Sequence, residues 1–144
     1  MKTYVLTLSQ VFPKNHSRKG ESTGFATNKK KIHTIRGSYA LWKKRFETID
    51  RGEGMLAIRQ WSGKPYVSPQ VEVANLFRED GIGIQKIEFD PAVHSCKIDG
   101  REHLVEESVA ANDGLSYNDF KEWFKGDDDF EPMVVIHFTK FRYI

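Results

Sequence analysis

Apolar and polar side chains alternate in several short runs of the chain, which is the pattern of half-buried β-strands. These runs cover residues 3–9, 55–61, 70–77 and 82–89. In the last of them the apolar phase slips between Ile84 and Ile87, which predicts a β-bulge. Residues 132–141 are nearly continuously apolar instead, as in a central strand that is covered on both faces.

Two segments show the spacing of amphipathic helices. One follows Ser38, which is placed to cap it, and carries Trp42 and Phe46 on a single face that we expect to pack into the core. The other follows Ser116, and Asp119 three residues later resembles the second half of a capping box. Strands and helices together predict an α+β domain.

The connecting segments add a short helix over 103–111 and a hairpin at Asp99-Gly100, a tight-turn dipeptide. Residues 13–30 are polar and lack either periodicity, which predicts a long loop. Phe25 is the large apolar residue of this loop, and we expect it to hold the loop against the rest of the domain.

The chain has 144 residues and a net charge of +2, so we expect a single domain over residues 1–144 and local rather than bulk contacts with nucleic acid. One cysteine, Cys96, indicates buried packing rather than a disulfide. The acidic run 127–129 is interpreted as a solvated loop. We expect a cytoplasmic protein without a membrane span, metal or cofactor, and the oligomeric state stays open.

A basic stretch over 29–36 contains Lys29, Lys30, Lys31, His33, Thr34 and Arg36, interrupted by two isoleucines. Such a cluster is typical of a patch that binds phosphate or nucleic acid. A solvated turn that is rich in lysine is the alternative. A lysine and a threonine that converge with a carboxylate could also hydrolyse an amide, since a lysine of lowered pKa can activate the hydroxyl.

Three motifs resemble the ASCH family of the PUA-like superfamily. They are Lys31-x-x-Thr34-x-Arg36, the run from Arg59 to Tyr66, and Asn112-Asp113-Gly114-Leu115-Ser116. They occur in the family's order and span about residues 31–141. The resemblance implies a small PUA-like β-barrel with helices packed over its openings.

Some small ASCH proteins are amidohydrolases that remove the acyl group from acetylcytidine. The resemblance to them implies that Thr34 is the nucleophile, that Lys31 activates it, and that Asp113 is the general acid and base. Aspartate stands at position 113 where those enzymes carry glutamate.

PUA-like domains commonly bind RNA or a nucleotide, and this is the function that we expect. Lys31, Arg36 and Lys64 would then contact phosphates, while Trp61 and Tyr66 would stack on a base.

Three alternatives stay open beside this expectation. His33 is either a contact to a base edge or a structural residue. Arg59 either lines the ligand-binding cleft or forms an ion pair with an acidic neighbour such as Glu72. A protein-interaction domain without catalysis is the third alternative for the function.

Overall fold

The computed structural model describes residues 1–90, 95–103, 106–124 and 132–144. Within these residues the strands are β1 (Lys2–Leu8), β2 (His33–Arg36), β3 (Gly54–Trp61), β4 (Gln70–Leu76), β5 (Gly83–Asp90), β6 (Ser95–Ile98), β7 (Arg101–His103) and β8 (Met133–His137). The α-helices are α1 (Tyr39–Asp50), α2 (Glu106–Asn112) and α3 (Tyr117–Trp123), and a 3-10 turn covers Arg78–Asp80. The acidic run 127–129 lies outside the described residues.

The strands form two sheets, in the order β1-β3-β4 and β2-β8-β5-β6-β7. Strands β1 and β3 are parallel, which requires a crossover, and the segment between them contains α1. The α+β class is therefore confirmed. The described strands are not closed into a barrel, so the barrel stays a prediction.

Strand β8 lies between β2 and β5, and most of its residues are buried. The prediction of a central strand in this segment is confirmed. Strand β5 pairs with β8 in unbroken register from Gly83 to Ile87, so the predicted bulge there is wrong. The apolar phase slips because a polar residue, Gln85, is buried on the same strand. The register shift lies in β3 instead, between Ile58 and Arg59.

Helix α1 packs against the sheets with Trp42, Phe46 and Ile49, which are all buried as its spacing predicts. Ser38 is at the predicted N-cap position, but it has a left-handed backbone and makes no side-chain capping bond. The expectation that its hydroxyl caps the helix is therefore wrong. Ser116 does cap α3, since its Oγ accepts from the backbone N–H of Asp119 at 3.2 Å.

The polar segment 13–30 packs against α3. Phe25 is buried and its ring lies 5.7 Å from that of Trp123, so the expected anchoring role is confirmed. Cys96 is also buried, as predicted. Among the helices of the described residues, none has both the length and the apolar character that a membrane span requires.

Candidate functional site

A buried ion pair joins two residues that the sequence analysis placed in one site. Nζ of Lys31 donates to the backbone oxygen of Asp113 at 2.8 Å and to its Oδ1 at 3.3 Å. The same Nζ lies 4.1 Å from the centre of the Phe25 ring, so the loop 13–30 covers it. The local fold brings the pair together because Asp113 follows directly on α2, and Asn112 O accepts from the backbone N–H of Ile32.

Burial lowers the pKa of Lys31, and the nearby Arg36 lowers it further, while Asp113 opposes both effects. The ammonium group therefore loses its proton more readily than that of a surface lysine. This is the property that a lysine needs in order to act as a base.

His33 extends this buried cluster. Its Nδ1 lies 3.2 Å from Oδ1 of Asp113, and its Nε2 lies 2.6 Å from the hydroxyl of Tyr143. An ionised Asp113 can only accept, so Nδ1 carries a proton that points to Asp113, and Nε2 forms a hydrogen bond with the hydroxyl of Tyr143. Burial raises the pKa of Tyr143 to about 12, which keeps this hydroxyl protonated, and Asn112 Nδ2 donates to its oxygen at 3.0 Å.

Thr34 lies outside that cluster of contacts. Its side chain is buried, and its Oγ1 accepts from Nη1 of Arg36 at 2.8 Å. In the described part of the chain no hydrogen bond joins this Oγ1 to Lys31. The three residues that the resemblance implies as catalytic are therefore divided: Lys31 and Asp113 form one contact, and Thr34 is held by Arg36.

The guanidinium of Arg36 lines a pocket between the two sheets. Nη1 also donates to the backbone oxygen of Ile35, and Nη2 donates to that of Thr7 at 2.8 Å. The cavity has a volume of about 440 Å³ and is lined by Val5, Leu6, Thr7, Ser9, Arg36, Trp42, Trp61, Pro65 and Tyr66. The rings of Trp61 and Tyr66 lie 5.2 Å apart. Three predicted ligand-binding residues, Arg36, Trp61 and Tyr66, are thus brought together.

The other predicted ligand-binding residues lie elsewhere. Lys64 is exposed and its side chain does not line the pocket, and His33 belongs to the buried cluster. Arg59 faces Glu72 in the β3–β4 register, yet no ion pair joins these two described residues, so that alternative is wrong. Glu72 accepts from Asn75 instead, and Nε of Arg59 is buried without a partner among the described residues.

Several polar residues of the buried cluster were missed from the sequence, namely Tyr143, Asn112, Gln85 and His137. His137 is fully buried, and its Nε2 lies 2.9 Å from Oε1 of Gln85. Burial is the main cause that lowers the pKa of His137 to about 3, and the neighbouring His33 and Arg142 contribute to this value. The sequence did contain a signal, because His137 lies between the apolar residues 133–136 and Phe138 in a segment predicted to be a buried strand.

A second polar cluster has the residue types of a metal site. Ligand atoms of His16, Asp119 and Glu122 lie within 4.8 Å of one another. However, Nδ1 of His16 accepts from the backbone N–H of Arg18, so Nε2 carries the proton of the neutral ring and has no lone pair for a metal. The guanidinium of Arg18 also donates to the carboxylate of Asp119, which is therefore already paired with a cation. The cluster ties the loop 13–30 to α3.

Two neighbouring arrangements thus carry the chemistry that the described residues offer. One is a buried Lys31–Asp113–His33–Tyr143 network, and the other is an aromatic pocket with a guanidinium in its wall. Comparison with known proteins gave no match to a protein-family model, a curated protein or a solved structure.

Proposed function

We propose that this chain is an ASCH-type PUA-like domain that binds a nucleoside, a nucleotide or single-stranded RNA in the pocket between its sheets. The observation that carries the proposal is the guanidinium of Arg36, held in the wall of a cavity beside Trp61 and Tyr66. Aromatic faces stack on bases, and a fixed guanidinium pairs with the acceptors of bases or phosphates.

The dimensions of the pocket agree with a ligand of this class. Cavities of about 300–1,000 Å³ hold small ligands, and this one measures about 440 Å³. Tyr66 is 89 % exposed at its rim and has a φ of 65°. Such a backbone costs about 1–2 kcal/mol in a residue other than glycine, and strained residues concentrate at functional sites.

The position of Arg36 also supports the PUA-like part of the proposal. Arg36 ends β2 in one sheet, and its Nη2 binds the backbone oxygen of Thr7 on β1 in the other sheet. This contact joins the edge strands of the two sheets. A half-closed barrel would have its seam there, with the pocket at the seam.

A binding experiment with the full chain tests the proposal. We expect Arg36→Ala and Trp61→Ala each to weaken binding of a nucleoside monophosphate or a short single-stranded RNA by about 1–3 kcal/mol. Lys29→Glu with Lys30→Glu is the control for bulk charge, because both lysines are exposed, and it should mainly change the salt dependence. Equal losses in all variants would indicate a non-specific basic surface and contradict the proposal.

The amidohydrolase function is the second candidate, and the lowered pKa of Lys31 beside Asp113 favours it. Hydrolysis would require the amine of Lys31 to move out from under the loop that covers it. It would also require the hydroxyl of Thr34 to break its hydrogen bond with Arg36. The test is an assay on N-acylated cytidines with Lys31→Ala, Thr34→Ala and Asp113→Ala. Each substitution should remove most of the rate without additivity, since the three groups would act as one unit. No turnover by the wild type on the whole panel would exclude this function.

A further inference from the structure

The hydrogen bonds of Arg36 leave one edge of its guanidinium unused. Both hydrogens of Nη1 are donated, to Thr34 Oγ1 and Ile35 O, and one hydrogen of Nη2 is donated to Thr7 O. The second hydrogen of Nη2 and the hydrogen of Nε have no acceptor in the described part of the chain. Nε and Nη2 are neighbours on the same edge of the planar group, so this edge presents two donors to a ligand when Thr7 takes the Nη2 hydrogen that faces Nη1.

The guanidinium is also a charge without a close counter-charge. Among the described residues no carboxylate lies within ion-pair distance of Arg36. Burial lowers its pKa, while Asp113 and Tyr66 oppose this at longer range. Arg36 is partly exposed, and neither Nε nor Nη2 is among the buried atoms of the described residues that lack a partner, so a ligand can reach them. A charge without a close counter-charge in a cleft is often functional. The pocket that Arg36 lines is where a partner can approach.

We propose that this free edge of Arg36 recognises two adjacent acceptor atoms on a nucleobase, and not a phosphate. The inference rests on the proposed function, that the pocket binds a nucleoside. The ring walls of Trp42 and Trp61 favour a planar, neutral group beside the guanidinium. A phosphate carries a charge of about −1.5 to −2, whereas Arg36 is the single cation among the described residues that line the pocket. The cost of removing water from the phosphate would therefore be poorly compensated.

Acceptor patterns then predict which bases are bound. Guanine presents O6 and N7 side by side, and cytosine presents O2 and N3, so each offers two adjacent acceptors. Uracil has an N–H between its two carbonyls, and adenine has an amino group beside N7 and N1. Either of these bases would turn a donor toward the guanidinium. A bidentate pair discriminates by about 5- to 150-fold in affinity, so cytidine and guanosine should bind more tightly than uridine and adenosine by that factor.

The experiment is a titration of the full chain with cytidine, guanosine, uridine, adenosine and ribose 5-phosphate, followed by tryptophan fluorescence. Trp42 and Trp61 line the pocket and report on its occupancy. Arg36→Lys keeps the charge but loses the planar pair of donors, so the selectivity among the four nucleosides should fall to about twofold or less. The matched control is Arg45→Lys, because Arg45 stacks on Trp42 without lining the pocket, and it should leave the selectivity unchanged.

The wild-type series tests the inference even if Arg36→Lys does not fold. Equal affinity for the four nucleosides would overturn base-edge recognition and leave the binding function standing. Ribose 5-phosphate that binds as tightly as a nucleoside, keeps this affinity in Arg36→Lys and loses it in Arg36→Ala would assign Arg36 to phosphate and overturn the inference as well. If none of the five compounds binds, the inference is wrong, and the proposed function is wrong as well if a short single-stranded RNA and a nucleoside monophosphate also fail to bind.

Discussion

Lys31 and Asp113 show how a charged pair can be accommodated in the interior. They are 82 positions apart in the sequence, and their side chains are 2 % and 5 % exposed. Breaking a buried pair on one side leaves an uncompensated charge, whereas removing both charges does not. The Asp113 carboxylate also contacts His33, so it is the central acceptor of the network.

We therefore expect Lys31→Met and Asp113→Ala each to lower the free energy of unfolding by about 3–5 kcal/mol. The double variant should lose clearly less than the sum, because it buries no lone charge. Urea denaturation of the four proteins measures this coupling. Lys30→Met at the exposed neighbouring lysine is the control and should change stability by less than about 0.5 kcal/mol. Strictly additive losses would contradict the account of the pair.

The second residue-scale prediction concerns pH. The pKa of His137 falls from 6.5 to about 3 in the folded protein because the ring is buried, while in the unfolded chain it takes up a proton near 6.5. Its contribution to stability is thus present above about pH 6.5 and is lost as the pH falls toward 3. Urea midpoints of the wild type should drop more between pH 7.5 and 4.5 than those of His137→Gln. Equal drops would be incompatible with a neutral buried His137.

The contribution of Tyr143 to stability is lost at alkaline pH, whereas that of His137 is lost at acidic pH. The pKa of Tyr143 is raised from 10.0 to about 12, so its contribution is present below about pH 10 and is lost as the pH rises from 10 to 12. We expect Tyr143→Phe to unfold with less dependence on pH in that range than the wild type. A pH titration of unfolding from 9 to 11.5 by circular dichroism measures the difference, and identical alkaline transitions would contradict this assignment.

At the scale of elements, side-chain periodicity predicted most strands and helices of the described chain. It failed in β5, because Gln85 is a polar residue on the buried side, where it contacts His137 and the backbone of Tyr143. Local patterns cannot reveal a buried polar residue whose partners are distant in sequence. The same limit applies to the site: Tyr143 contacts His33 across 110 positions.

The pairing of Lys31 with Asp113 is a different case. Both residues were selected from short motifs, and the structure places them in contact. Position along the chain did not indicate that Lys64 would be exposed or that Thr34 would be turned toward Arg36. These outcomes depend on how two separate sheets are arranged, which a motif does not encode.

The loop 13–30 gives a fourth prediction, which belongs to the element scale. Because Phe25 covers the ammonium group of Lys31, Phe25→Ala should open the loop locally and expose that amine. Acetylation by a water-soluble reagent, mapped by mass spectrometry, should then label Lys31 faster relative to Lys29 and Lys30. Phe77→Ala beside the 3-10 turn is the control and should leave the pattern unchanged. An unaltered rate at Lys31 would show that Phe25 is not its cover.

The turn after α2 gives a fifth prediction. Gly114 and Gly100 both have a left-handed backbone, with φ of 83° and 80°. A Cβ at Gly114 would lie 3.0 Å from Cβ of Lys31, whereas nothing lies within 4 Å at Gly100. Gly100→Ala should therefore cost about 1–2 kcal/mol from the backbone alone, and Gly114→Ala should cost more. Thermal unfolding of the two variants makes the comparison, and equal losses would mean that the crowding beside Lys31 is readily relieved.

At the scale of the whole molecule, the pocket and the buried network lie near opposite ends of β2. Lys31 and His33, at its start, contact Asp113, while Arg36, at its end, contacts Thr7 of the other sheet. A short strand thus connects the interior of one sheet to the pocket between both sheets. A ligand on Arg36 would therefore contact the same strand that carries His33, whose Nδ1 lies beside Asp113.

An amide-proton NMR titration of the full chain with cytidine shows whether a nucleoside occupies the pocket beside Arg36. We expect saturable shifts at the indole N–H groups of Trp42 and Trp61 and at the backbone of Thr7 and Arg36, all of which line the cavity. Shifts confined to Lys29 and Lys30, or no saturable shifts up to millimolar cytidine, would contradict this expectation.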